Sequence, residues 1–286
     1  MTREATLQTL LTLIQKGDVV PYLGPGVLAD CRATKTGEPM PADSDSLILA
    51  MNNGRPMAPK LMFEFPRAAM NLELKKGRSF INRFLTQLYG GKTWTRAPLH
   101  DFLAEIKPPY VIDINRDTQL QDSYAATPHT LIRGTARIGG TNYRFELHNF
   151  DGEKYVQTTP ETVDPTLPIL FKPLGSPFPD ATYIASDADF VDYITELMGG
   201  FGIPSFLKEK RKGLKYVLLG MRLNRDTERM VLSDIIYDAA EPKGWALIPD
   251  ATDKEIRFCA KLGLEVVGAS INELLATAAP RRVAAS

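Results

Sequence analysis

The chain has 286 residues, enough for one large domain or two small ones with a sizeable hydrophobic core. Its composition, 44% hydrophobic and 24% charged, is typical of a globular protein, and its 34 basic residues balance its 34 acidic ones. A chain with zero net charge has no overall field to attract nucleic acid or an anionic membrane, so both partners are disfavoured.

The cysteines and the N-terminal segment predict a cytoplasmic protein. Cys31 and Cys259 lie far apart and form no C-x-x-C spacing for a structural zinc, so we expect no metal site. The N-terminal segment lacks the basic start, unbroken apolar core and cleavage site of a signal peptide. No apolar run approaches the roughly 20 residues that cross a bilayer.

The first elements are a helix and a buried strand. Residues 4–16 place apolar side chains at helical spacing, and Gly17 follows as a C-terminal stop. The next segment, VVPYL (19–23), is short, β-branched and apolar, as in a strand buried on both faces. Pro21 favours the beginning or an edge of that strand over its middle.

A helical insertion is predicted over about residues 31–98. It contains a short helix in SDSLILAMNN, capped by Ser44 or Asp45, and a longer helical block over 61–89. The segment APLHDFLAEI (97–106) predicts one more helix before the second buried strand, PPYVIDIN (108–115).

The second half alternates apolar strands with helices. Residues 131–157 alternate apolar and polar side chains around Gly139-Gly140 and Asp151-Gly152, which predicts a small antiparallel meander within an insertion of about 131–165. Further strands are expected in LPILFKPLGS, KYVLLGMRL and LGLEVVGAS, with helices in DADFVDYITELMGG and INELLATAA. We therefore expect a single α/β domain over 1–286, with a Rossmann-like parallel sheet covered by helices on both faces.

The loop after the first strand has two interpretations. Gly24, Gly26 and Ala29 satisfy G-x-G-x-x-A, the pattern in which glycines make the tight turn and let a pyrophosphate approach the backbone. A Gly-Pro-Gly turn between two buried elements explains the same residues without a ligand. The pattern alone does not decide between a phosphate-binding loop and a turn that only connects two buried elements.

Four short motifs occur in one order along the chain: LGPGVL (23–28), VIDINRD (111–117), FKPLGS (171–176) and LLGMRLNRD (218–226). In this order they resemble the motifs of the sirtuin-like NAD-binding family, in particular its bacterial branch of NAD-hydrolysing proteins. The family has G-A-G-x-S, T-T-N-x-D, K-L-H-G-S and F-x-G-x-S-x-x-D at these places. The similarity covers nearly the whole chain.

The resemblance implies a site for NAD or ADP-ribose. Asn115 and Asp117 would lie beside the nicotinamide ribose as catalytic residues, where an amide and a carboxylate can steady an oxocarbenium-like sugar. Asx capping of the strand end explains the same two residues structurally. The implied cofactor-binding residues are Gly24, Pro25, Gly26, Val27, Asn115, Gly175 and Gly220.

The chain lacks the histidine of the family's K-L-H-G-S motif. Leu174 stands where the family places its base, and leucine takes no proton, so the usual route is missing. His100 is expected to pack in its helix, His129 to lie in an exposed loop with the pocket within reach, and His148 to lie on a strand surface. Without that histidine and the four zinc-binding cysteines of deacetylating members, protein deacylation is not expected.

The leading hypothesis is a pseudoenzyme that binds NAD or ADP-ribose with lost or weak turnover and acts as a nucleotide sensor or an assembly subunit. One alternative is an active NAD glycohydrolase that uses Asn115, Asp117 and water, helped by His129. Another is a pure interaction module whose pocket is filled by Leu174, Pro25 and Ile114. The protein partner is unspecified, and a homo-oligomer is expected by analogy with the family only.

Overall fold

The structure, a computed structural model, describes residues 2–136 and 143–278. The first half contains α1 (Arg3–Lys16), β1 (Val20–Leu23), α2 (Ser44–Met51), α3 (Phe65–Lys76), α4 (Arg78–Tyr89), α5 (Pro98–Ile106), β2 (Tyr110–Asp113), α6 (Gln119–Ser123), β3 (His129–Gly134), β4 (Phe145–Phe150) and β5 (Tyr155–Thr158). The second half contains β6 (Ile169–Lys172), β7 (Gly175–Ser176), β8 (Thr182–Tyr183), α7 (Asp187–Gly199), α8 (Ser205–Lys210), β9 (Tyr216–Leu219), α9 (Asp226–Ile235), β10 (Gly244–Leu247), α10 (Asp253–Leu262), β11 (Leu264–Val267) and α11 (Ile271–Ala276).

Within those residues, the main sheet has nine strands in the order β11-β10-β9-β1-β2-β6-β3-β4-β5. All neighbours from β11 to β3 pair in parallel, and β4 and β5 add two antiparallel strands at one edge. A separate two-stranded sheet joins β7 to β8. The predicted α/β fold with a Rossmann-like sheet is confirmed.

Helices cover both faces because each parallel strand is apolar on both sides. On β9, Val217 and Leu219 face one hydrophobic cluster, and Tyr216 and Leu218 face the other. The first cluster is closed by α1 to α6 and α11, and the second by α7 to α10.

The helical insertion between β1 and β2 is confirmed and consists of α2, α3 and α4. The single helical block expected over 61–89 divides at Gly77, whose φ of +83° suits glycine. The cap of α2 is Asp43 instead of Ser44 or Asp45: its carboxylate accepts from the N–H groups of Asp45 and Ser46, at 3.0 Å each.

The meander is present as β3 to β5, but it is not a module apart from the main sheet. Because β3 also pairs in parallel with β6, the meander extends that sheet. The turn at Asp151-Gly152 lies between β4 and β5 as expected. The turn predicted at Gly139-Gly140 lies outside the described residues.

Pro21 is the second residue of β1, at the beginning of the strand as expected, although β1 lies in the middle of the sheet. The N–H groups of Val20 and Gly24 point to β9, where they bond the carbonyls of Lys215 and Leu219. Alternation along the strand turns the Pro21 nitrogen towards β2, and pairing with β2 begins only at Tyr22. Proline is therefore tolerated because it precedes that ladder.

The segment 226–262 was not assigned from the sequence and contains α9, β10 and α10. Trp245 and Gly244 in β10 make it a poor match to a β-branched strand pattern. In the described part of the chain, no helix combines the length and apolar character needed to span a membrane.

Candidate functional site

The four motifs meet at one edge of the sheet. They follow β1, β2, β6 and β9, which are neighbours in the order β9-β1-β2-β6 and are all parallel. The chain leaves β1 to one side, into β2, and later returns on its other side, into β9. This reversal at the carboxyl ends of the strands is the place where open α/β sheets bind ligands.

The glycine loop packs directly against the loop after β9. Gly24 N–H donates to Leu219 O at 2.9 Å, and Gly26 N–H donates to Gly220 O at 2.8 Å. A Cβ on Gly26 would lie 2.9 Å from Gly220 O, and a Cβ on Gly220, whose φ is +71°, would lie 2.5 Å from Val27 N. Both positions therefore require glycine for loop packing, whether or not a phosphate is bound.

This packing also limits the loop as a phosphate cradle. The Gly26 N–H is engaged by Gly220, the Val27 N–H donates to Gly24 O at 3.2 Å, and Pro25 has no N–H. Phosphate contacts at this place must come largely from side chains.

Asn115 connects the ends of β1 and β2. Its side-chain Nδ2 donates to Gly24 O at 3.0 Å and to Asp113 Oδ1 at 2.9 Å, and its backbone N–H donates to Asp113 Oδ1 at 3.0 Å. Both amide N–H groups are thus engaged within the protein. A ligand in the adjoining cavity would meet the Asn115 amide oxygen.

A buried ion pair lies beneath Asn115. Lys172 Nζ donates to Asp113 Oδ2 at 2.6 Å, and both side chains are fully buried. Because Lys172 ends β6 and Asp113 ends β2, this pair fixes the two strand ends to each other. Removal of one partner would leave a buried, uncompensated charge.

Asp117 is buried, and its carboxylate makes a local turn. Its Oδ1 accepts the Gln119 N–H at 2.7 Å, an Asx turn, while its Oδ2 has no hydrogen-bond partner within residues 2–136 and 143–278. Burial raises the pKa of Asp117 to about 6, opposed by the Lys172 ammonium and reinforced by the Asp113 carboxylate. Asp117 lines none of the cavities described next.

Three adjoining cavities follow the edge of the sheet around the glycine loop. The inner cavity, of about 40 Å³, is lined by Pro25, Glu64, Asn115, Leu174, Arg225 and Glu228, among others. The middle cavity, of about 240 Å³, shares Pro25, Arg225 and Glu228 with it and adds Gly26, Gly220 and Arg222. The outer cavity, of about 320 Å³, shares Gly26, Gly220 and Arg222 with the middle one and adds Val27, Met221 and Leu247. The shared residues show that the three cavities lie side by side along the strand ends, and together they are called the cleft here.

Arg222 and Arg225 place two cations at the middle cavity. Arg222 pairs with Asp250 at 2.6 Å and Glu255 at 3.1 Å, and Arg225 pairs with Asp45 at 3.6 Å. The Arg225–Asp45 pair is long and partly exposed, so the Arg225 guanidinium can turn to an anion in the cavity. Arg222 is held by both carboxylate oxygens of the fully buried Glu255, at 3.1 and 3.2 Å, and stays fixed at the cavity wall. The sequence analysis missed both, although they directly follow β9 in LLGMRLNRD.

The inner cavity instead brings two carboxylates together. Glu64 precedes α3 and its Oε1 accepts from Thr227 Oγ1 at 2.8 Å, while Glu228 lies in the first turn of α9. Burial, and next the Glu64 carboxylate, raise the pKa of Glu228 to about 7, against the Arg225 guanidinium. Neither glutamate has a sequence signal, because the two come from segments far apart along the chain.

Leu174 lies in the inner cavity beside Asn115, at the place where the resemblance puts a histidine. The Ile184 backbone holds this wall: its N–H donates to Leu174 O at 3.1 Å, and its carbonyl accepts from Arg116 Nε at 2.9 Å. Gly175 follows with a φ of +84° and packs against Thr182, away from the three cavities.

None of the three histidines lines the cleft. His100 is buried in α5. His129 is buried at the start of β3, with Nδ1 2.8 Å from Thr127 O and Nε2 2.9 Å from Tyr155 Oη, so the expectation of an exposed loop is wrong. His148 is buried on β4, not on the surface. Burial lowers the pKa of each histidine to about 4.

One group in the described part of the chain has side chains suited to a metal ion: Glu146, His148 and Asp180. The Arg133 guanidinium already donates to Glu146 Oε2 at 2.8 Å and to Asp180 Oδ1 at 2.9 Å. A cation there would be repelled by Arg133, so the group is explained as an ion-pair network.

Comparison of the chain with protein-family models gives no match, and comparison with curated proteins gives none. The residues and the geometry of the cleft are therefore what supports a function.

Proposed function

We propose that this protein binds a dinucleotide of the NAD or ADP-ribose class along the cleft, with lost or weak turnover, and acts as a nucleotide sensor or an assembly subunit. The observation that carries the proposal is the row of adjoining cavities at the carboxyl ends of the strands, around the glycine loop, where the chain reverses direction between β1, β2 and β9. The order of motifs that resembles sirtuin-like proteins agrees with it.

The outer cavity suits the adenosine. Its apolar wall, formed by Val27, Leu99, Met221, Leu247 and Ile271, matches the flat face of a base. The middle cavity is lined by the carboxylates of Asp43, Asp45 and Glu228 as well as by Arg222 and Arg225, and we place the diphosphate against the two guanidinium groups.

Loss of turnover is proposed from the inner cavity. Leu174 cannot accept a proton, and the three histidines lie elsewhere. Asp117, the second residue of the proposed catalytic pair, lines none of the three cavities, and its carboxylate accepts the Gln119 N–H in an Asx turn. The open middle and outer cavities favour this proposal over an interaction module with a filled pocket.

The test is titration calorimetry of NAD and of ADP-ribose into the protein, with a proton NMR time course of each NAD mixture. We expect heat of binding from at least one nucleotide and no released nicotinamide. Absence of heat from both would contradict the binding proposal. Accumulating nicotinamide that disappears in Asn115→Ala would instead establish the glycohydrolase.

A further inference from the structure

The inner cavity is too small for a nicotinamide group. At about 40 Å³ it has room for about three water molecules. Its walls are Phe65, Tyr89, Ile114, Leu174 and Phe190, and a ring with a carboxamide would have to displace them. Close-packed side chains resist such displacement.

The wall at Leu174 is held in position from two directions. Ile184 N–H bonds the Leu174 carbonyl, and Gly175 packs so closely on Thr182 that a Cβ would lie 2.0 Å from its carbonyl oxygen. Arg116, which bonds the Ile184 carbonyl, also lies over the Phe65 ring, 5.4 Å from its centroid. These contacts fix the backbone that carries Leu174 and hold Arg116 against Phe65, so neighbouring groups support the walls of the cavity.

The polar groups of the inner cavity suit hydroxyl groups. Glu64 and Glu228 present carboxylate oxygens, which accept hydrogen bonds from a sugar diol, and Asn115 adds an amide oxygen. Ser44 and Thr227 supply further hydroxyl partners at the rim.

We propose that the inner cavity binds the terminal ribose hydroxyls of an ADP-ribose-type ligand and excludes the nicotinamide of intact NAD. This inference rests on the proposed function, since the adenosine and the diphosphate occupy the outer and middle cavities. ADP-ribose carries a hydroxyl at the anomeric carbon where NAD carries the pyridinium ring. Glu64, Leu174 and Glu228 are then the residues that determine specificity.

The first experiment measures the affinities of ADP-ribose, NAD and ADP for the wild-type protein by titration calorimetry at pH 8. We expect ADP-ribose to bind at least about tenfold tighter than NAD, because the ring is excluded, and at least about tenfold tighter than ADP, because ADP lacks the terminal ribose. NAD or ADP binding as tightly as ADP-ribose overturns the inference. Binding of none of the three overturns the proposed function as well.

Two variants test the contributions of Leu174 and Glu228 separately. Leu174→Ala enlarges the inner cavity, so the preference for ADP-ribose over NAD should narrow to about threefold or less. Leu207→Ala, an equally buried leucine in α8, is the matched control and should keep the wild-type preference. An unchanged preference in Leu174→Ala counts against the inference.

Glu228→Gln replaces a carboxylate oxygen by an amide N–H of similar size. ADP-ribose should bind about tenfold more weakly while ADP binds as in the wild type. Glu153→Gln, in the exposed turn between β4 and β5, should change neither affinity. Equal weakening of ADP and ADP-ribose by Glu228→Gln would contradict a contact with the terminal ribose.

Discussion

The two ends of the cleft are built by different means. Around the glycine loop, backbone packs on backbone: Gly24 and Gly26 bond Leu219 and Gly220, and a side chain at Gly26 or Gly220 would collide with the opposite loop. The inner cavity is closed by side chains from α2, α3, α4, α7 and the start of α9. Under the proposed function, the rigid loop region would determine where a nucleotide binds, whereas the side chains of the inner cavity would determine which nucleotide is accepted.

Disruption of the Lys172–Asp113 ion pair should give the largest effect, a loss of folding stability. Lys172→Met keeps the side-chain volume but leaves the Asp113 carboxylate buried without a counter-charge, so we expect the free energy of unfolding to fall by about 3–5 kcal/mol. Urea denaturation measures this loss. Lys154→Met, at an exposed position, should stay within about 0.5 kcal/mol of the wild type. A loss below about 1 kcal/mol for Lys172→Met would contradict the role of the pair.

Gly26→Asp should break the loop region and leave the inner cavity in place. The new Cβ would lie 2.9 Å from Gly220 O, and the carboxylate would face the diphosphate. We expect the ADP-ribose affinity to fall about 100-fold or more, which is about 2.7 kcal/mol. Gly199→Ala in α7, whose Cβ would meet its nearest neighbour at 3.7 Å, should bind normally. Retained affinity in folded Gly26→Asp protein would show that the ligand binds elsewhere.

Asp117→Asn tests a residue that belongs to neither region. The folded pKa of Asp117 is raised to about 6, so the folded state holds its proton more tightly than the unfolded chain. Stability from this group is therefore present at low pH and is lost as pH rises towards 6 and above it. Thermal unfolding between pH 4 and 7 should show a smaller decline for the variant, with ADP-ribose affinity preserved at pH 8. A marked loss of ADP-ribose affinity in Asp117→Asn would show that Asp117 does contribute to ligand binding.

The smallest effect is expected from the protonation of Glu228 in the inner cavity. Its pKa of about 7 reflects burial and Glu64, while Arg116, Arg225 and Arg229 face it with opposing charge. In the proposed complex the carboxylate form would accept hydrogen bonds from the ribose hydroxyls, so ADP-ribose affinity should rise several-fold between pH 6 and 8. Calorimetry of Glu228→Gln over the same range should give a flat profile. An equally steep profile in the variant would assign the titration to another group.

The sequence predicts the features that depend on residues close together along the chain. The helix over 4–16, the buried strand at VVPYL and the glycine turn after it were all found, because periodicity and glycine placement are local signals. The sheet class followed from apolar strands that alternate with helices.

Tertiary assembly explains what the sequence did not predict. Glu64 and Thr227 are hydrogen-bonded across 163 positions, and no pattern in either segment indicates that contact. His129 looked like a loop residue next to proline, yet β4 and β5 cover it with Phe150 and Tyr155.

The complete burial of Lys172 makes it a chemical reporter of local opening. An amine-reactive reagent needs a free and accessible Nζ, and this one is held against Asp113 with no exposed surface. Lysines such as Lys60, Lys75 and Lys154 are exposed and should be modified at once. The rate at which Lys172 is acetylated in native protein, followed by mass spectrometry, would therefore measure how often the ends of β2 and β6 separate.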